Sequence, residues 1–276
     1  MENSLRVFVA THKPTLLYGN TECYQFIHVG AKLHPDIHIE GALKDDSNSD
    51  NISNKNHIYC ELTGLYYIWK HVKNIDITGL VHYRRYLGHK TDSLHPTNDI
   101  LSKEEITKLL KNNDLIIGNL SKKKGERSGY FVIKEDIPEF CFYRLVKPAI
   151  QALYPDYLED FEKEFQTKEL AAGNIMICRK QLFDKYCEWL FDILFKVEEQ
   201  LIDSPFGIAP RELGYFSEYL MNVWIRKNKL KVIHKPVLFI DDSTKLSHRI
   251  RLYMNVLGLR KVVKVIDSIY GKINSK

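Results

Sequence analysis

The sequence predicts an α/β domain built on a mostly parallel sheet flanked by helices, and one observation carries that prediction. Short β-branched apolar runs alternate with longer stretches of helical periodicity along most of the chain. Such alternation is the mark of βαβ construction, whose ligand crevice lies at the carboxyl ends of the strands.

The first strand is 5–11, LRVFVAT, which ends in the polar turn His12-Lys13-Pro14. A second is expected at 24–29. Residues 44–56 are rich in Asn, Asp and Ser and read as a loop, with Ser53 offered as N-cap of a helix. That helix is predicted over 58–72, where Tyr59, Leu62, Leu65, Tyr66, Trp69 and Val72 recur at helical spacing. A strand begins at Thr78 and runs toward Tyr86. Ser102 and Glu105 form a capping box for a helix ending near Asn112, followed by a strand over 114–118. Helices are predicted over 139–154 and 157–167, a strand over 171–178, and a helix from Gln181 to about Leu201. Pro210 suits the first position of a helix over 211–228. Short extended segments follow over 231–240, ending in Asp241 and Asp242.

The 276 residues are 44% hydrophobic, enough for one large core over 1–243 and a helical tail over 244–276. No run of about 18 apolar residues and no signal-type start is present, so a cytoplasmic location is expected. The five cysteines, at 23, 60, 141, 178 and 187, are widely spaced and contain no C-x-x-C pair, which argues for reduced thiols and against a zinc site. From Lys245 to Lys276 eight Lys/Arg face one acid, a charge of +7 within a total of +5, so the remainder carries −2. A nucleic-acid partner for the body is therefore not expected. The tail combines its basic residues with Leu246, Ile250, Tyr253, Leu257, Val265, Ile269 and Ile273. It reads as an amphipathic helix lying on an anionic inner membrane surface, with packing on the body or on a second subunit of a homodimer as its competing use.

Four blocks carry a resemblance: DNISNKNHIYCELTGLYYIWKH (50–71), GLVHYRRYL (79–87), AAGNIMICRKQLFDKYCEWLFDIL (171–194) and RELGYFSEYLMNVW (211–224). Together they resemble the bacterial capsular and exopolysaccharide glycosyltransferases catalogued as a domain of unknown function, a group that includes galactofuranosyltransferases. The resemblance implies a GT-A-like fold, a UDP-sugar donor (UDP-galactofuranose being the one expected) and an undecaprenyl-linked saccharide as acceptor.

Such an enzyme must hold a diphosphate leaving group whose charge grows as the glycosidic bond breaks. Where GT-A enzymes place an Asp-x-Asp motif for a metal, this sequence reads His82-Tyr83-Arg84-Arg85. Guanidinium groups grip phosphates and stay charged, so cations are expected to replace the metal. Strand alternation puts His82 and Arg84 on one side, with Arg85 joining them if the chain turns there. No cofactor is expected, while Asp45, Asp46, Asp241 and Asp242 keep magnesium or manganese open. Thr11, Asp45, Asp46, Asn51, Asn54 and Glu61 are the candidates for nucleotide binding; the 44–56 loop also fits a solvated turn that caps a helix.

On the helix after Pro210, Arg211, Gly214, Tyr215, Glu218 and Asn222 share a face. Glu218 is the candidate base for an inverting transfer and Arg211 a further phosphate ligand, the alternative being a structural ion pair. Gly173 and Asn174 are the candidate acceptor contacts. Two other readings stay open: a pyranosyl transferase, including a retaining one in which Glu218 is no base, and a non-catalytic nucleotide- or saccharide-binding module of a polysaccharide assembly complex.

Overall fold

In the computed structural model the described residues are 4–90, 96–122, 138–167, 169–171, 173–202 and 208–240. The predicted tail, Asp241 and Asp242 lie outside them.

The strands are β1 (Leu5–Thr11), β2 (Tyr24–His28), β3 (Leu43–Lys44), β4 (Ile77–His82), β5 (Arg85–Leu87), β6 (Leu115–Gly118), β7 (Ser121–Lys122), β8 (Glu169–Leu170), β9 (Met176–Arg179), β10 (Val232–Lys235) and β11 (Val237–Phe239). The helices are α1 (Asn56–Tyr59), α2 (Leu62–His71), α3 (Lys103–Asn112), α4 (Pro138–Leu153), α5 (Leu158–Gln166), α6 (Lys180–Ile202) and α7 (Glu212–Lys227). The main sheet runs β10-β6-β9-β4-β1-β2-β3, and β5 links β4 to β11 at one end. Along that path β10-β6, β4-β1, β1-β2 and β2-β3 are parallel, and only the two pairings of β9 are antiparallel. The fold is thus the expected α/β sheet, mixed but mostly parallel.

Each face of the sheet buries its own layer. Phe8, Ala10, Ile27, Leu80 and Met176 point to one side, where they meet α2, α4, α5, α6 and α7. Val7, Val9, Phe26, Val81 and Ile177 point to the other, against Ile106 and Leu110 of α3. The capping box that starts α3 is present, with Glu105 N donating to Ser102 Oγ and Ser102 N to Glu105 Oε2. The four described cysteines, 23, 60, 178 and 187, are free thiols.

The boundaries that differ from expectation lie around the strand ends. The helix predicted over 58–72 is two helices, broken at Cys60, whose φ of 53° and ψ of −130° are not helical. Asn56 Nδ2 donates to the Cys60 carbonyl at 2.6 Å, and Gly214 of α7 packs so closely that a Cβ there would lie 3.2 Å from Cys60 Sγ. Tertiary contact therefore overrides a continuous helical pattern. Ser53 caps no helix: its hydroxyl donates to Asp45 Oδ1 at 2.5 Å and accepts from Lys32 N at 3.0 Å. Pro210 is not the first residue of α7, because Arg211 at the N-cap takes a left-handed φ of 67° and the helix starts at Glu212. The strand expected over 171–178 begins only at Met176, since Gly173 (φ 91°) and Asn174 (φ 50°) form a turn.

Central β4 tolerates no side chain at Gly79, where a Cβ would stand 2.2 Å from the Met176 carbonyl oxygen and 2.8 Å from Ile177 Cα. Both are backbone atoms of β9 and cannot swing away. Gly79→Ala is expected to lower unfolding free energy by at least about 2 kcal/mol, read from the shift in urea midpoint.

Candidate active site

The site forms where β4 ends. After His82 the chain turns through Tyr83 and Arg84, and β5 returns antiparallel with Arg85 directly opposite His82. Arg85 Nη1 lies 3.5 Å from His82 Nδ1. This corrects the alternation argument, because the strand stops at His82 and it is Arg85, not Arg84, that joins His82. The Arg84 guanidinium instead stands 5.0 Å from the Tyr83 ring centre, which Lys13 Nζ approaches to 5.4 Å and the His12 ring to 5.6 Å. Arg84 and Arg85, with the charge of Lys13 nearby, therefore stand at the β4–β5 turn, both arginines close to the Phe239 ring, at 5.8 and 5.9 Å.

On the His82 side the break at Cys60 delivers Glu61, whose Oε1 is 3.8 Å from His82 Nε2. Burial lowers the pKa of His82, against the pull of Glu61, so the ring is neutral at pH 7. Asn174 is buried and fully engaged. Its Nδ2 donates to Glu61 Oε1 at 2.8 Å and to the Gly214 carbonyl at 3.1 Å, while its Oδ1 accepts from Ser217 Oγ at 2.9 Å. With both amide hydrogens spent, Asn174 has none to give a saccharide, and its left-handed φ is one that asparagine tolerates. Gly173 keeps its place beside the site through its backbone, which bonds Glu218.

Glu218 follows Ser217 on α7. Burial first, and then the negative charge of Glu61, push its pKa up to about 7, while the Gly173 backbone, Arg85 and Arg211 oppose. Arg211 is exposed, and its guanidinium bonds the Cys60 thiol, whose pKa burial raises to about 12. The left-handed turn at Arg211 is fixed by its N–H, which donates to the His57 carbonyl at 2.8 Å. Arg85, Arg211, His82, Glu61 and Glu218 thus lie together beside the β4–β5 turn.

The 44–56 loop divides. Asp45 is fully buried and accepts from Gly30 N at 2.7 Å, Ala31 N at 3.0 Å and Ser53 Oγ. Its oxygens anchor the turn after β2. Thr11 is likewise buried, its hydroxyl donating to the Lys13 carbonyl at 2.7 Å. Asn51 Oδ1 accepts from Ser53 N at 3.1 Å; Asp46 is half-buried and Asn54 exposed. Among the described residues no three of His, Cys, Asp and Glu converge as metal ligands. Sequence reading missed His12 and Lys13, which the polar turn after β1 could have signalled. It also missed His28, buried beside Thr11 with neither ring nitrogen hydrogen-bonded among the described residues; nothing in a strand sequence marks such a position.

A family model described as a domain of unknown function, DUF4422, matches residues 6–229. The chain belongs to the DUF4422 family. That match contains every site residue from Thr11 to Glu218. Among solved structures, the DUF4422 chain is similar to the apo structure of WbbM, a bifunctional glycosyltransferase, with a TM-score of 0.74 and 26% identity. The alignment covers 87% of this chain and 46% of WbbM, so the chain spans about half the length of that protein. No curated protein matches. Among the described residues no helix is long and apolar enough to cross a membrane.

Asp45→Ala removes the acceptor of three buried donors and is expected to cost about 2–4 kcal/mol in urea unfolding, against little change for Asp46→Ala. For Glu218 the raised folded pKa means that burial of the charged form opposes folding above about pH 7 and not below the ordinary value of 4.5. Glu218→Gln should therefore raise the melting temperature at pH 8 and leave it nearly unchanged at pH 4.5.

Proposed function

We propose that this DUF4422 chain is a glycosyltransferase that moves a sugar from a UDP-sugar to a saccharide hydroxyl. The observation that carries the reading is Glu218, a carboxylate with a pKa of about 7 in a crevice shared with Arg85 and Arg211. The likeness to a bifunctional glycosyltransferase supports it.

In this reading the donor diphosphate lies across the β4–β5 turn, between Arg85 and Arg211 on one side and Arg84 on the other. Glu218 takes the proton of the acceptor hydroxyl, whose oxygen attacks the anomeric carbon. The bond from that carbon to the diphosphate breaks, and the leaving oxygen keeps both electrons. Fixed guanidinium groups stabilise the charge that grows there, more strongly in a partly dehydrated crevice than in water. A base with a pKa near 7 is half ionised at neutral pH and still has driving force to accept the proton. His82, kept neutral by burial, adds no positive charge at neutral pH and offers a ring nitrogen to a donor oxygen.

Galactofuranose as the sugar, an undecaprenyl-linked saccharide as acceptor, and a basic tail on an anionic inner membrane complete the proposal; the resemblance of the 50–71 and 79–87 blocks supports the first two. No metal is assigned, because the strand end presents cations where carboxylates would be needed.

A thermal-shift series with UDP and UDP-sugars, in EDTA or manganese, tests the donor site. UDP is expected to raise the melting temperature in EDTA, with the gain lost in Arg85→Ala. Glu218→Gln should keep the UDP shift and lose transfer by roughly a hundredfold or more. Stabilisation only with manganese would refute the cation-held diphosphate, and none by any uridine nucleotide would refute the donor site.

A further inference from the structure

The same crevice holds a second carboxylate to which the proposed reaction gives no role. Glu61 stands at the end of the broken helix, and its position is set from outside its own segment. Asn174 Nδ2 grips Glu61 Oε1, and the other bonds of that amide run to Gly214 and Ser217 of α7. Ser217 Oγ also lies 2.7 Å from the Gly214 carbonyl, which fixes the hydroxyl on the helix. Glu218 is the next residue. One buried amide therefore registers the Glu61 carboxylate against the helical turn that carries Glu218, 113 residues separating Glu61 from Asn174.

We propose that Glu61 is a positioning residue that acts on the Glu218 carboxylate, held at its post by the Asn174 bridge to Ser217 and Gly214. The proposal rests on the reading of Glu218 as the base. Its physical content is a fixed negative charge beside a buried carboxylate, which favours the protonated form of its neighbour. The charged and titratable groups around Glu218 are Glu61 from the loop between α1 and α2, Arg85 from β5 and Arg211 preceding α7; the Gly173 backbone adds a dipole. His82 of β4 and the Cys60 thiol border Glu61. The cations and the Gly173 bond pull Glu218 toward ionisation; among the described residues Glu61 is the carboxylate that pulls it back. Without Glu61 the base would be a weaker proton acceptor, ionised down to a lower pH but with less driving force.

Glu61→Gln separates charge from shape, because the amide oxygen still accepts from Asn174. Carbon-13 carboxyl NMR of glutamate-labelled protein follows Glu218 directly, the resonance being assigned by its loss in Glu218→Gln. The Glu218 titration is expected to fall by roughly one pH unit in Glu61→Gln. Asn174→Gly, which suits the left-handed backbone and leaves Glu61 charged but unlatched, should give a smaller fall in the same direction. Where transfer is measurable, the acid limb of kcat should move with the titration. A Glu218 titration unmoved in Glu61→Gln overturns the proposal, as does a fall in Glu61→Gln with none in Asn174→Gly, which would remove the bridge. The NMR result needs no sugar turnover, so a coupled pair in a protein that transfers nothing from any UDP-sugar would sink the reading of Glu218 as base and leave the coupling standing.

Discussion

One buried side chain, Asn174, holds the crevice together. Its amide joins the end of a broken helix, the turn before β9 and the first turns of α7, three segments brought side by side only by the fold. A buried amide with all its hydrogens placed is stable, and one left unsatisfied costs about 1–3 kcal/mol. The geometry of Glu61 and Glu218 is therefore bound to the packing of the whole domain. Backbone strain concentrates here as well: Cys60, Asn174 and Arg211 all have positive φ, and all three border the same crevice.

Electrostatics follows from that geometry. Cations gather at the carboxyl end of β4, where the parallel strands open, and the carboxylates approach from the helical side. Neither group neutralises the other completely. Burial raises the proton affinity of Glu218, whose carboxylate is about half ionised at pH 7, and lowers that of His82, whose ring is neutral there. The 44–56 loop, by contrast, spends its most buried acid on structure. Asp45 serves three donors of the turn after β2, and that use explains its burial without a ligand.

Much of the sheet was legible because apolar runs such as 5–11 and 114–118 are short, β-branched and bounded by polar turns. The capping box of α3 was legible for the same local reason. What escaped was decided over long distances. Nothing near Tyr83 and Arg84 is a glycine or proline, so the reversal that pairs His82 with Arg85 has no local signal. The break at Cys60 is fixed by Asn56 and by Gly214 of α7, and the engagement of Asn174 by residues 40 and 113 positions away. Glu218 was singled out because its helix face is unusually polar. The partnership of Glu61 with Asn174 had no such mark in the sequence.

The central claim is that a nucleotide-sugar diphosphate lies against the cations at the end of β4 with Glu218 on the acceptor side. A crystal structure of the chain with UDP bound in the presence of EDTA tests it most directly. The account predicts the diphosphate oxygens within hydrogen-bond distance of the Arg85 and Arg211 guanidinium groups, and an open path from the Glu218 carboxylate to the space beyond the β-phosphate. UDP bound away from the β4–β5 turn, or held there by a metal with both arginines turned aside, would contradict it.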